Sequence, residues 1–166
     1  MLNMKLPLDF VRERVSLSWR EVEFGLQNDW LDGDDAVGLA MDEVAKDANP
    51  SSDVLELASV LPHERGMVPR LVEQLARSSQ SFSNEKWLYL LLAWLYCNRT
   101  TVPDAFRVVE EIYATFDYPD EIAPFVRYMP APDPNRTGEA YMLEAWRNYL
   151  DRKHALFGQS ASSVHY

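Results

Sequence analysis

Residues 87–97, WLYLLLAWLYC, carry no polar face at the spacing of either a helix or a strand. A segment that is apolar on all sides must be buried on all sides. Its 11 residues fall short of the roughly 18 to 20 that a membrane-spanning helix needs. Polar capping residues precede the run, and Asn98 to Thr101 and Pro103 follow it. The pattern therefore predicts a central buried helix over residues 84–98 of a water-soluble core.

The rest of the chain repeats apolar positions at helical spacing, interrupted by capping residues and prolines. Ser18 and Glu21 fit a capping box, and Asp32 or Asp34 is placed to cap a later helix. Helices are predicted to begin near residues 7, 19, 53, 84, 103 and 138. Two more are predicted after the cap at Asp32 or Asp34 and after Pro62, together with a short turn over residues 122–128 that is interrupted at Pro124. We found no sustained alternation of apolar and polar residues, so strands are not predicted.

The fold class predicted from this pattern is all-α. Short connections favour an irregular antiparallel helical bundle, or stacked helical hairpins, around the central helix. We predict a single domain over residues 1–157 and a flexible C-terminal tail over residues 158–166. Three local details also follow from spacing. Thr137 should cap the last helix, Cys97 should be an inert core thiol, and the third helix should bury Val37, Ala40, Met41, Val44 and Ala45.

The net charge of −10, from 16 basic and 26 acidic residues, narrows the class of partner. Nucleic acids and anionic membranes require a basic surface, so we expect neither as a partner. A basic protein would be the natural partner. The single cysteine gives no sign of an oxidising compartment, and the N-terminus resembles no signal peptide. The expected location is the cytoplasm.

The sequence offers no convincing catalytic or metal-binding motif. The three histidines are far apart in the sequence, and none has a second candidate ligand at a spacing typical of metal sites. The acidic loop at residues 31–35 departs from the calcium-binding EF-hand pattern, and helix capping explains it with fewer assumptions. We therefore expect no enzymatic activity, no cofactor and no metal.

The negative charge is concentrated in two blocks. Residues 1–50 hold 11 acids and 5 bases, and residues 104–133 hold 7 acids and 2 bases. Such blocks can simply keep a protein soluble, but they can also steer a basic partner, and a nearby tyrosine can anchor it. The candidate partner-binding residues are Asp32, Asp34, Asp35, Glu110, Asp117, Tyr118, Asp120 and Glu121.

Four stretches of the chain, residues 6–10, 18–26, 85–96 and 111–130, resemble the bacterial domain of unknown function 2247. The likeness extends over about residues 5–152. It implies a small cytoplasmic bacterial protein, and we associate such families with immunity genes beside secreted toxins. The resemblance carries no catalytic residues.

Charge and resemblance together favour an immunity protein that neutralises a cationic toxin by stoichiometric binding. The first guess for the target is a contact-dependent-inhibition ribonuclease of the EndoU type, because nucleases need basic surfaces. The alternative is a helical scaffold or adaptor that binds a peptide or protein partner.

Overall fold

Side-chain caps begin several helices where the sequence predicts them. The Ser18 hydroxyl accepts the backbone N–H of Glu21 at 3.3 Å, and the Glu21 carboxylate accepts the backbone N–H of Ser18 at 2.7 Å. Asp32 and Asp35 form the same reciprocal pair at 2.9 Å for both bonds. Each pair satisfies two backbone donors that the first turn of a helix leaves without partners. The predicted capping box at Ser18 is thus confirmed, and of the two predicted caps, Asp32 and Asp34, it is Asp32 that forms the cap.

The computed structural model describes residues 2–79, 81–131, 133, 135 and 138–158, and within these residues the chain is all-α, with no strand. The predicted fold class is confirmed. The helices are α1 (Leu8–Arg14), α2 (Trp19–Gln27), α3 (Gly33–Lys46), α4 (Ser52–Ala58), α5 (Val68–Arg77), α6 (Asn84–Cys97), α7 (Ala105–Thr115) and α8 (Glu139–Phe157). Two 3-10 helices, Pro62–Met67 and Asp120–Phe125, precede α5 and follow α7.

The contacts divide the chain into two compact units. The N-terminal unit comprises Asn3–Asp9 and Ser16–Ser83, and the C-terminal unit comprises Leu2, Phe10–Val15 and the described residues from Asn84 onward. In the N-terminal unit, α2 packs on α5, and α3, α4 and α5 pack on one another. In the C-terminal unit, α6 packs on α7 and α8. The single domain over residues 1–157 stays a prediction.

Helix α6 is buried along most of its length, as the apolar run predicts. Nine of its residues, from Trp87 to Tyr96 with the exception of Trp94, are buried. Cys97, however, is exposed, so its predicted core position is wrong. Trp94 and Cys97 lie three residues apart on one helical face, and this face emerges from the core at the end of the helix.

The predicted apolar face of α3 is buried only in its first half. Val37 and Ala40 are buried, whereas Met41 is 56% exposed and Ala45 is exposed. The partner helix α4 has only 7 residues against the 14 of α3. At about 1.5 Å per residue, α4 can cover only half of its neighbour. The C-terminal half of α3 therefore has no cover from α4.

The last predictions concern the turn at residues 122–128, the cap at Thr137 and the C-terminal tail. Pro124 lies inside the 3-10 helix instead of interrupting a turn over residues 122–128. Thr137 and residues 159–166 of the predicted tail lie outside the described residues. Gly138 is the residue that precedes α8, and its φ of 100° is one that glycine adopts readily.

Candidate partner-binding surface

The first acidic block lies at the start of α3 and is occupied by bases of its own unit. Lys5 Nζ lies 2.7 Å from Asp32 and 3.6 Å from Asp35. Arg65 forms an ion pair with Asp34 and donates a second hydrogen bond to the Val60 carbonyl at 2.7 Å. All three predicted site residues of this block therefore contribute to local structure.

The same contacts shift the proton affinities of the block. Partial burial opposes ionisation of Asp32, but the hydrogen bonds from Lys5 and from the backbone of Asp35 outweigh it and lower the Asp32 pKa. Partial burial raises the pKa of Asp35, and the neighbouring charge of Asp32 adds to this. The hydrogen bond to Asp32 raises the pKa of Lys5. The block behaves as one coupled group of charges.

In the second acidic block, Glu121 serves a buried lysine. Lys153 Nζ lies 2.9 Å from Glu121 and 3.7 Å from Glu85, and only 8% of the lysine side chain is exposed. A buried cation needs such partners, because removal from water is costly. Glu110 also has a partner within the chain. The Arg127 guanidinium forms ion pairs with Glu110 and with Asp104, each at 3.2 Å. Glu121 and Glu110 therefore form ion pairs within the unit, in addition to contributing negative charge to its surface.

The loop that follows α7 is held in an uncommon conformation. Asp117 and Tyr118 both have positive φ, at 60° and 57°. The Tyr118 N–H donates to the Tyr113 carbonyl at 2.8 Å, and the Asp117 N–H donates to the Ala114 carbonyl at 3.2 Å, which together form a Schellman motif. Aspartate tolerates this region, but tyrosine does so at a cost of about 1–3 kcal/mol. The residue before a proline also prefers extended backbone, and Pro119 follows.

This loop displays Tyr118 beside a second exposed tyrosine. Tyr118 is 56% exposed and Tyr128 is 57% exposed. Both pack edge-on against the buried ring of Tyr113, at centroid distances of 5.2 Å and 6.0 Å. Desolvation and the charges of the ionisable Tyr113, Tyr118 and Glu110 side chains raise the Tyr128 pKa. We call Tyr113, Tyr118 and Tyr128, with the carboxylates of Glu110 and Asp117, the tyrosine face.

Sequence reasoning missed Tyr128 in the tyrosine face and Lys153, the buried partner of Glu121. Tyr128 lies outside any periodic segment, and no local pattern distinguishes it. Lys153 could have been found, because it lies seven residues after Trp146 and three after Leu150, on the packed stripe of α8. A lysine at such a position predicts an internal acidic partner.

The predicted site residues are divided between the two compact units. Asp32, Asp34 and Asp35 belong to the N-terminal unit, whereas Glu110, Asp117, Tyr118, Asp120 and Glu121 belong to the C-terminal unit. Asp120 is exposed at the start of the second 3-10 helix. The tyrosine face therefore lies within the C-terminal unit, where Tyr118 and Tyr128 both contact Tyr113.

No group of three metal-ligating side chains is found among the described residues. Likewise, in the described part of the chain, every helix is too short or too polar to cross a membrane. The side chains of the tyrosine face offer aromatic rings, phenolic hydroxyls and carboxylates.

Comparison with known proteins gives a family. No curated protein and no solved structure shows a significant match. A family model described as an uncharacterised protein conserved in bacteria matches residues 8–154, which is most of the chain. The chain therefore belongs to the bacterial family DUF2247.

Proposed function

We propose that this protein is a cytoplasmic immunity protein that binds a basic protein toxin and neutralises it stoichiometrically. The observation that carries the proposal is the tyrosine face. Tyrosines are enriched where protein interfaces concentrate their binding energy, and the nearby carboxylates complement a basic partner.

The backbone strain at Tyr118 supports a binding role. A strained residue persists only where its surroundings fix it, and such residues cluster at functional sites. Here the Schellman bonds and the contact with Tyr113 hold the ring of Tyr118 in place before any partner arrives. A preorganised anchor loses little conformational entropy on binding, so more of its contact energy stabilises the complex.

The net charge of −10 supports the choice of a basic partner. Opposite charges speed diffusional encounter and exclude partners of the wrong sign. A toxin that cleaves RNA or DNA needs a basic substrate site, so a nuclease is the first candidate, and a contact-dependent-inhibition ribonuclease of the EndoU type is the first to test.

The experiment begins with a purified toxin domain of the proposed EndoU ribonuclease type. Binding of the full chain is measured by calorimetry, alongside inhibition of toxin activity at increasing molar ratios. Tyr118→Asn removes the ring and keeps a residue that tolerates positive φ. We expect Tyr118→Asn and Tyr128→Ala each to raise the Kd at least about 30-fold, which corresponds to the roughly 2 kcal/mol of an interface hot spot.

Leu156→Ala is the matched control, because Leu156 is 63% exposed in the same unit and lies outside the tyrosine face. It should leave the Kd unchanged. Equal affinity of wild type and both tyrosine variants would refute the tyrosine face, and failure of the wild-type chain to inhibit the toxin would refute the proposed function.

A further inference from the structure

A cleft of about 420 Å³ opens in the N-terminal unit, where α2 ends and α3 begins. This volume lies within the range of roughly 300–1,000 Å³ that ligand sites occupy. Apolar side chains form part of its wall: Leu26, Leu31, Val68 and Pro69. Charged side chains form the rest: Lys5, Asp29, Asp32 and Arg65. Such a lining suits a ligand that is apolar along its length and charged at its end.

Both cations of the cleft are already neutralised. Lys5 is held between Asp32 and Asp35, and Arg65 is held by Asp34 and a backbone carbonyl. With Asp29 included, four carboxylates stand against two cations, so the cleft and its immediate partners have a net charge of −2. The cleft therefore favours a cationic ligand over an anionic one.

Asp29 is the carboxylate that remains available. Its φ is 59°, and its backbone N–H donates to the Leu26 carbonyl at 3.2 Å, which ends α2 in a Schellman motif. Within the described residues, the Asp29 side chain has neither an ion pair nor a hydrogen bond. A carboxylate without a partner among the described residues therefore lines the cleft, on a residue whose backbone is held in place.

We infer that this cleft receives an arginine side chain of the protein partner, with its methylene groups on the apolar wall and its guanidinium at Asp29. Arginine is favoured over lysine because a guanidinium is weakly hydrated and binds a carboxylate through two parallel hydrogen bonds. The inference rests on the proposed function for the identity of the partner, but the chemistry of the cleft can be tested without a toxin.

The test is an NMR titration of the isotopically labelled full chain with N-acetyl-arginine amide. N-acetyl-citrulline amide has the same shape and no charge, so it is the matched ligand. We expect saturable shifts confined to the backbone amides of Leu26, Asp29, Gly33 and Val68. Binding of arginine should be about fivefold tighter than that of citrulline, the gain expected from one exposed ion pair.

Asp29→Asn should abolish the preference for arginine, because asparagine keeps the positive φ and removes the charge. Asp53→Asn, an equal loss of charge elsewhere in the same unit, should preserve it. Equal binding of the two ligands to the wild type, or shifts scattered over all acidic residues, would overturn the inference.

The toxin assay separates this inference from the proposed function. Asp29→Asn should weaken toxin binding by about the same fivefold factor. If the toxin binds Asp29→Asn as tightly as wild type while Tyr118→Asn fails to bind, the cleft assignment is wrong and the proposed function stands. If the cleft selects arginine but the wild type does not inhibit the toxin, the proposed function is wrong.

Discussion

Replacing Tyr149 by phenylalanine is expected to stabilise the protein. Tyr149 lies in α8 and is completely buried, and its hydroxyl has no hydrogen-bond partner among the described residues. A buried, unsatisfied polar group costs about 1–3 kcal/mol. Phenylalanine keeps the ring and its contact with Phe125 at 5.7 Å, so little packing is lost. We expect Tyr149→Phe to raise the free energy of unfolding by about 1 kcal/mol at neutral pH.

The same substitution should change how stability depends on alkaline pH. Burial raises the pKa of Tyr149 well above its usual value of 10.0, and the charges of Glu121 and Glu85 add to this. Above about pH 10 the unfolded chain loses the phenolic proton while the folded chain keeps it. Ionisation therefore favours the unfolded state, and this residue lowers the free energy of unfolding by about 1.4 kcal/mol for each further pH unit. Tyr149→Phe removes that contribution.

Urea unfolding followed by tryptophan fluorescence measures both effects, at neutral pH and at about pH 10 to 11. Tyr118→Phe is the control, because its hydroxyl is on an exposed residue and its loss should change stability by less than about 0.5 kcal/mol. A Tyr149→Phe variant that is less stable than wild type at neutral pH would show that the hydroxyl has a partner. Identical pH dependence in the two proteins would show that the pKa is not raised.

Three further substitutions or reactions test other contacts. Glu121→Gln should lower the free energy of unfolding, measured by thermal unfolding, by about 1–2 kcal/mol, because it leaves Lys153 buried with a weaker partner. Asp120→Asn is the control and should have little effect in this assay, because Asp120 is exposed. Glu21→Gln should cost about 2 kcal/mol in urea unfolding, since one of two backbone donors would face an NH₂ group. Cys97 should be fully alkylated by iodoacetamide in the folded protein, but slowly at neutral pH, because partial burial raises its pKa; mass spectrometry that finds it unmodified would refute its exposure.

The helices could be predicted because their signals are local. The capping box at Ser18 needs only residues within one turn, and the burial of residues 87–93 follows from an apolar run that has no outward face. Capping preferences also limited the cap of α3 to Asp32 or Asp34, and Asp32 is the residue that forms it. These features depend little on how the chain folds beyond each segment.

The candidate site depends on contacts between distant residues, which local patterns do not encode. Nothing near Tyr128 in the sequence indicates that its ring packs against Tyr113, which Tyr118 also contacts. The exposure of Cys97 depends on where the covering helices stop. Sequence reasoning assigned Glu110 and Glu121 to a partner-binding surface, whereas the structure shows that both also bind cations of the chain itself.

Glu21 has a consequence for the topology of the chain. Its buried carboxylate accepts the backbone N–H groups of Ser18 at 2.7 Å and of Ser83 at 2.8 Å, while the Ser18 hydroxyl donates to the Ser81 carbonyl at 2.6 Å. The main segment of the N-terminal unit, Ser16–Ser83, therefore has its two ends joined. Closely spaced ends are the condition under which one domain can be inserted into another. Along the chain this segment is an insertion between α1 and α6. A loop within it can therefore change length without altering the residues that precede Ser16 or follow Ser83.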